Sequence, residues 1–266
     1  MTGNPEPNIT VKVDVTNPGQ FFACCGLLEL ADRLWPEAEG WFGNDQTTFH
    51  ISCCGSLPEL VDAITSAELV QADRKDRPLS PVVIEKPFRR LTIDWWKTDR
   101  TGAKDLKVWA GKMESFGIAY AMQQAMKDQQ FHGPDLFDIG MVVANPHNTK
   151  EKKEPFYFDA RRAPNADSRD IGFSPNDLKL KTIAHPAVEL LCLVGLQVAR
   201  PAFSSRTRIY DYFTWSLPIL TNLVLAATTG ILALPGRRGY RFENWFRTGK
   251  KMHKAFRPAV PLTQGD

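Results

Sequence analysis

The chain has 266 residues, 43% of them hydrophobic and 11% aromatic, with seven Trp and sixteen Phe. That composition excludes a disordered chain and is enough for a sizeable core, in one large domain or two of ordinary size. A net charge of +3 says little about partners, so the distribution of charge along the chain matters more.

In chain order, ITVKVDV (9–15) alternates apolar and polar residues and predicts a half-buried strand. TNPGQFFACCGLLELADRLW (16–35) poses a choice between a signal peptide, a reactive dithiol and a core helix. A signal peptide is not expected. No basic region precedes the stretch, Asp14 sits just upstream, Glu29, Asp32 and Arg33 interrupt the run, and no small-residue cleavage site follows. Thr16 or Asn17 is placed to cap a helix with Pro18 in its first turn, and capping is also the expected role of Asn17 and Gln20 at its tip. Phe21, Cys24, Cys25, Leu28, Ala31 and Trp35 recur at helical spacing on one stripe, and Pro36 ends it. Adjacent cysteines do not pair with ordinary disulfide geometry. Five cysteines with no CxxC therefore point to a reduced, cytoplasmic chain with buried thiols.

A second strand, TTFHISC (47–53), follows a turn at Gly43-Asn44 and carries His50 as a strand-face residue. Ser56 caps a short helix through LPELVDAI, and the Pro-punctuated DRPLSPVVIEKP reads as a linker. FRRLTIDWW (88–96) predicts a strand, KTDRTGAKDLK (97–107) a polar loop, and VWAGKMESFGIAYAMQQAMKD (108–128) a helix burying Trp109, Met113, Phe116, Tyr120 and Ala121. From Phe131 to about Asp170 the chain reads as strand and loop, with an exposed, mobile loop at NPHNTKEKKEP (145–155) and a short strand ending at Asp159. A helix is predicted over 185–200 and a strand around YDYFTWS (210–216). LPILTNLVLAATTGILAL (217–234) is marginal in length for a membrane span and carries Pro218, Asn222 and three threonines, so a buried core helix is expected and no membrane. The sum is an α+β fold: a mixed strand/helix part over 1–170 and a more helical part with a basic tail over 171–266, or one continuous domain.

Signatures of chemistry are sparse. The phosphate loop, G-x-G-x-x-G, H-E-x-x-H, G-x-S-x-G and a His-Asp dipeptide are all missing, and His50, His132, His147, His185 and His253 are not spaced as ligand pairs. No catalytic residue, metal or cofactor is expected. Charge is more informative. In GRRGYRFENWFRTGKKMHKAFRP (236–258), Arg237, Arg238, Arg241, Arg247, Lys250, Lys251, Lys254 and Arg257 oppose Glu243 alone, a net +7, with Tyr240, Phe242, Trp245, Phe246 and Phe256 threaded among them. Cations that neutralise phosphates, alternating with rings that stack on bases or anchor the segment, suit nucleic acid. A second patch, Lys86 to Lys112, holds Lys86, Arg89, Arg90, Lys97, Arg100, Lys104, Lys107 and Lys112 against three aspartates, a net +5. Arg161 and Arg162 are a third candidate, with internal pairing to Asp167 and Asp170 as the alternative.

The order TNPGQFFACCGLLELADRLWPEAEGWF, IDWW, LKVWAGKMESFGI, PFYFDARRAPNADSRDIGFSPNDL, HPAVELLCLVGLQVARP, FTW, LP and GYRFENWFRTGKKMHKAFRPAVP resembles a CRISPR-associated family. It is the Csb-type family of subtype I-U (also I-G) systems, regarded as the Cas-eight-like large subunit of the Cascade complex. The resemblance spans nearly the whole chain and rests most firmly on the first and last segments. It implies a non-catalytic subunit of an RNA-guided surveillance complex that inspects the motif beside the target (the PAM), aids duplex opening and recruits the helicase–nuclease. Its implied partners are crRNA, target double-stranded DNA, the other Cascade subunits and that helicase–nuclease, and sequence would be read by guide pairing. The basic–aromatic segment would then meet phosphates, and the loops 97–107 and 145–153 would enter a groove, where Lys and Asn reach base edges. One alternative is a metal-independent ribonuclease that trims the guide precursor, with His253 as acid or base and Lys250, Lys251 or Tyr240 assisting. The other is a purely structural scaffold.

Overall fold

The computed structural model describes residues 4–73, 75–97, 103–109, 113–162, 183–203, 206–246 and 254–263. Its strands are β1 (Ile9–Lys12), β2 (Glu39–Phe42), β3 (Thr48–Ser52), β4 (Leu69–Gln71), β5 (Val82–Ile84), β6 (Leu91–Ile93), β7 (Met141–Val142) and β8 (Ala144–Asn145). They continue with β9 (Asn148–Lys152), β10 (Ile183–Ala184), β11 (Ala202–Phe203), β12 (Ile209–Phe213), β13 (Ile219–Leu220), β14 (Gly239–Phe246), β15 (Lys254–Phe256) and β16 (Val260–Pro261). The helices are α1 (Pro18–Leu34), α2 (Leu57–Ser66), α3 (Ala103–Leu106), α4 (Ser115–Ala125), α5 (Pro186–Val198) and α6 (Val224–Thr228). All strand pairing is antiparallel: β1-β3-β2-β13, β4-β5-β6, the pairs β7–β10 and β8–β9, and β11-β12-β14, whose far edge is completed by β15 and β16.

Two helices form the centre. α1 begins where expected: the Asn17 side chain accepts the Gly19 N–H, Pro18 occupies the first turn, and the helix stops at Trp35. The residues from Pro18 to Ala31 are buried on every side, as for a helix inside a core rather than on its surface. It crosses α5, which is as fully buried, with the two backbones touching. A Cβ on Gly26 would meet the Leu191 carbonyl oxygen at 2.0 Å, and one on Gly195 would meet that of Phe22 at 1.8 Å. Only glycine at both places lets the helices approach so closely. The crossing buries Cys24, Cys25 and Cys192, whose thiols burial pushes well up. The expectation of buried thiols fails for the other pair: Cys53 is half-buried and Cys54 exposed.

Aromatic rings bind the sheets to this centre. Phe21 stacks on Phe42 and packs against Tyr212 and Trp215, while the indoles of Trp215 and Trp95 donate to the carbonyls of Gly40 and Leu193. Trp95, Trp96, Trp109, Phe156 and Phe158 make a second ring cluster, which Phe256 joins through Phe158. One continuous hydrophobic cluster takes in side chains from both predicted parts of the chain.

The fold is α+β, with helices and antiparallel strands on both sides of residue 170. Past residue 182 the described chain holds α5 and α6 together with β10 to β16, and the described part of the basic tail carries the strands β14 and β15. The predicted core helix over 217–234 breaks into β13, a single 3-10 turn and the short α6. Pro218 starts it as sheet edge, since proline donates nothing to a ladder. The linker contributes β5 as the middle strand of a three-stranded sheet, and EGWF supplies β2. The strand over 88–96 shortens to β6 followed by a 3-10 turn, and no strand ends at Asp159. The helix over 108–128 is α4, with Ile118, Ala119, Ala121 and Met122 inside; Phe116 and Tyr120 stay half-exposed, and Trp109 is buried ahead of it. No helix of the described residues is long and apolar enough to cross a membrane.

Candidate nucleic-acid interface

The basic–aromatic segment owes its shape to strand alternation. In β14, Tyr240, Phe242 and Asn244 are buried, while Arg241, Glu243 and Trp245 lie half-exposed on the outer face. Arg241 stands opposite Asp211 in the ladder and holds its carboxylate by two hydrogen bonds of 2.8 and 2.9 Å. Arg257 donates to Glu243 at 3.2 Å and lies over the Trp245 ring, 4.3 Å from its centroid. At the end of the strand, Arg208 covers Phe246 at 4.3 Å, and the Lys254 ammonium lies 5.9 Å from the same ring. Lys254 also donates to the Asp105 carbonyl at 3.1 Å. Burial lowers the Lys254 pKa, the Asp105 carboxylate opposes this, and Arg208 adds to it. Two ring–cation sets thus lie at this end of the sheet, Trp245 with Arg257 on the outer face and, by strand alternation, Phe246 with Arg208 and Lys254 on the opposite face.

Arg237 and Arg238 are at the other end of β14, roughly 23 Å away at about 3.3 Å per residue. Both are exposed. Arg237 donates to the Gly230 carbonyl and lies over Phe213, and Arg238 donates to the Asn44 carbonyl, each hydrogen bond being 3.0 Å. The segment read as one cationic stripe is therefore two separate sets. Arg247, Lys250, Lys251 and His253 lie outside the described residues, as do Arg100 and the Lys104 side chain. Of the second patch, Lys97 is exposed at the end of a 3-10 turn and Lys107 lies 5.0 Å from the Trp109 ring centroid.

Arg161 and Arg162 belong to a buried polar node. Asp159, with no exposed side-chain surface, accepts from Asn17 Nδ2 at 2.8 Å and from Arg161 Nε at 3.1 Å and Nη2 at 2.8 Å. His185 Nδ1 lies 2.7 Å from its other side. Burial alone would raise the Asp159 carboxyl, but His185 and Arg161 outweigh it and hold the group well below the usual carboxylate range. Glu189, one turn into α5, accepts the N–H groups of Phe158 and Asp159 at 3.3 and 3.4 Å. Burial first, and the Asp159 charge next, push its pKa up to about 8. Arg161 reaches on to Asp138 at 2.7 Å, and Arg162 is 2% exposed. Arg161 serves internal carboxylates, Asp159 and Asp138, while the Arg162 guanidinium lies over the Tyr157 ring; Asp167 and Asp170 lie outside the described residues. The node ties the α1 cap to the segment before Arg162 and to α5. In HPAVELLCLVGL its one sequence signal is Glu189 itself, a carboxylate in an otherwise apolar helix that must find donors inside.

The predicted mobile loop at 145–155 is an ordered hairpin. Asn145 and Asn148 face each other across a two-residue Pro146-His147 turn, and every residue of β9 is exposed. His147 stacks on Tyr120, which stacks on Phe116, with 6.0 Å between successive ring centroids. Lys150 and Lys152 project from the hairpin. Arg208 was missed from the sequence, because its place over Phe246 depends on the β12–β14 register and on a φ of 67°.

Among the described residues, no three His, Cys, Asp or Glu side chains group so as to hold a metal ion. Comparison of the chain with protein-family models, curated proteins and solved structures returns no match.

Proposed function

We propose that the chain is a nucleic-acid-binding, non-catalytic subunit of an RNA-guided DNA surveillance complex, in the place of a Cascade large subunit. The observation that supports the reading is the pair of ring–cation sets at the end of β14: Arg257 over the half-exposed ring of Trp245, and Arg208 and Lys254 beside that of Phe246. Cations aligned on ring faces suit a sugar–phosphate backbone whose bases stack in passing, and they do so without reading sequence. The basic residues 247–253 continue the chain directly from it. The exposed hairpin β8–β9, with Asn145, Asn148, Lys150 and Lys152, is the candidate for a groove beside the motif. The sequence resemblance supplies the remaining parts of the reading: crRNA and target duplex as ligands, the other Cascade subunits as neighbours, and the helicase–nuclease as the recruited enzyme.

The test is a salt titration of the full chain with labelled duplex DNA and with labelled RNA. Replacing Lys254 and Arg257 by Ala should reduce the slope of log K against log salt on duplex by about 0.9 for each phosphate that is no longer neutralised. Trp245→Ala should weaken binding by about tenfold, as removal of a stacking platform does, and leave the slope alone. Unchanged slopes and affinities in these variants would remove the assignment.

A further inference from the structure

Among the described residues, the stretch expected to be a buried helix instead holds the largest group of exposed aliphatic side chains. It leaves the sheet after β12 and returns at β14, its base closed by Thr214 N–H donating to Arg238 O and Ser216 Oγ donating to Pro235 O, both at 2.9 Å. Ile219, Val224 and Ala227 turn into the core. Leu217, Leu220, Leu223, Leu225 and Ile231 turn out, exposed by 40, 36, 42, 47 and 83%. Leu79, Val142, Phe203 and Val260, the other large apolar side chains exposed to this degree among the described residues, are spread over the rest of the chain. So many aliphatic side chains facing water in one short excursion mark an interaction surface. Beside it lies a cavity of about 450 Å³, lined by Val198, Thr221, Asn222 and Leu225 and by two ion pairs, Arg33–Glu29 and Arg89–Asp32, whose charges offset each other.

Charge identifies the occupant. Residues 217–235 contain no ionisable side chain. The cations at the base are Arg237, bonded to the carbonyl next to Ile231, and Arg238, bonded to Asn44. Both are exposed, and the partners they hold here, the Gly230 and Asn44 carbonyls, the Phe213 ring and the Tyr240 hydroxyl, are neutral, so their charge faces outward. A second copy packed patch to patch would set Arg237 and Arg238 against the same two arginines, while the nearby Glu29 and Asp32 are already paired with Arg33 and Arg89. A lipid surface favours Trp, Tyr and several lysines at the water boundary, and residues 217–235 carry none of these.

We propose that the 217–231 excursion is a protein-docking surface for an acidic amphipathic segment of a partner, whose aliphatic side chains cover the leucines and Ile231 while its carboxylates meet Arg237 and Arg238. This takes those two arginines from phosphate to carboxylate recognition, and it holds whether or not the Trp245 end binds nucleic acid.

The experiment selects a random 16-residue peptide library displayed on phage against the full chain, with the Leu223→Asp/Ile231→Asp double variant as counter-target. Selected peptides should combine Leu, Ile or Met at helical spacing with excess Asp and Glu. The tightest should bind the double variant and the Arg237→Glu/Arg238→Glu variant at least about tenfold more weakly, about 1.4 kcal/mol. Peptides without acidic excess, peptides indifferent to both variants, or no enrichment would overturn the proposal. So would self-association of the wild-type chain in sedimentation, or its retention on anionic phosphatidylserine vesicles, if the double variant abolished it.

Discussion

Two apolar stretches of similar length, 16–35 and 217–234, end in opposite places. The first, though interrupted by Glu29, Asp32 and Arg33, becomes a helix buried from Pro18 to Ala31. The second has no charge at all, yet breaks into short pieces and leaves its leucines in water. Hydrophobicity does not separate them. What separates them is the means of close packing and of satisfying polar ends. The first has Gly26 facing Gly195, an Asn cap tied to Asp159, and Glu29 paired with Arg33. The second has Pro218 at a sheet edge and threonines whose hydroxyls turn back on its own carbonyls.

Breaking the first region should have the largest effect. Gly26→Ala or Gly195→Ala puts a methyl into a main-chain carbonyl that cannot yield, and should cost about 3 kcal/mol, read as a fall in urea midpoint. A cost near zero would mean that the helices do not touch there. Asn17→Ala removes the α1 cap and the link to Asp159 together and should cost about 2 kcal/mol in the same measurement.

The pH dependence sharpens the same region. Asp159, held low, contributes stability that is present above the ordinary carboxylate range and is lost as acid protonates it below its folded pKa. Glu189 acts in the opposite sense. With its pKa pushed up to about 8, its contribution is complete below the ordinary carboxylate range and falls as pH rises through about 8. Glu189→Gln should therefore flatten the decline in Tm on the alkaline side while leaving the acid limb in place. An equal decline in both proteins would show that Glu189 is ionised in the fold at neutral pH.

The second region predicts smaller effects on stability. Leu223→Asp with Ile231→Asp, on side chains already in water, should change stability by no more than about 0.5 kcal/mol. Ellman's reagent gives the smallest readout: Cys54 should react at once, Cys53 more slowly, and Cys24, Cys25 and Cys192 only on unfolding. Fast modification of all five would contradict the buried crossing.

Local signals carried the first region well. The cap at Thr16 or Asn17, the stop near Pro36, the cap at Ser56, α5 and β12 all follow from spacing and end residues. What the sequence hid depends on pairing between distant segments. EGWF and VVI become strands only because partners lie beside them, and 217–234 loses its helix because β13 adds to β2. The site was legible as composition but not as geometry. Rings and cations were visible along 236–258, yet the length of β14 separates Arg237 and Arg238 from Trp245 and Arg257, and Asp211, from outside the segment, takes up the Arg241 charge.

The most direct test of nucleic-acid binding is photocrosslinking from p-benzoylphenylalanine placed at Trp245 and, separately, at Ile231, in the full chain with labelled duplex DNA and labelled RNA. Crosslinks from position 245 that compete away with unlabelled nucleic acid, and none from 231, are the predicted result. Crosslinks from 231 alone, or from neither position, would contradict it.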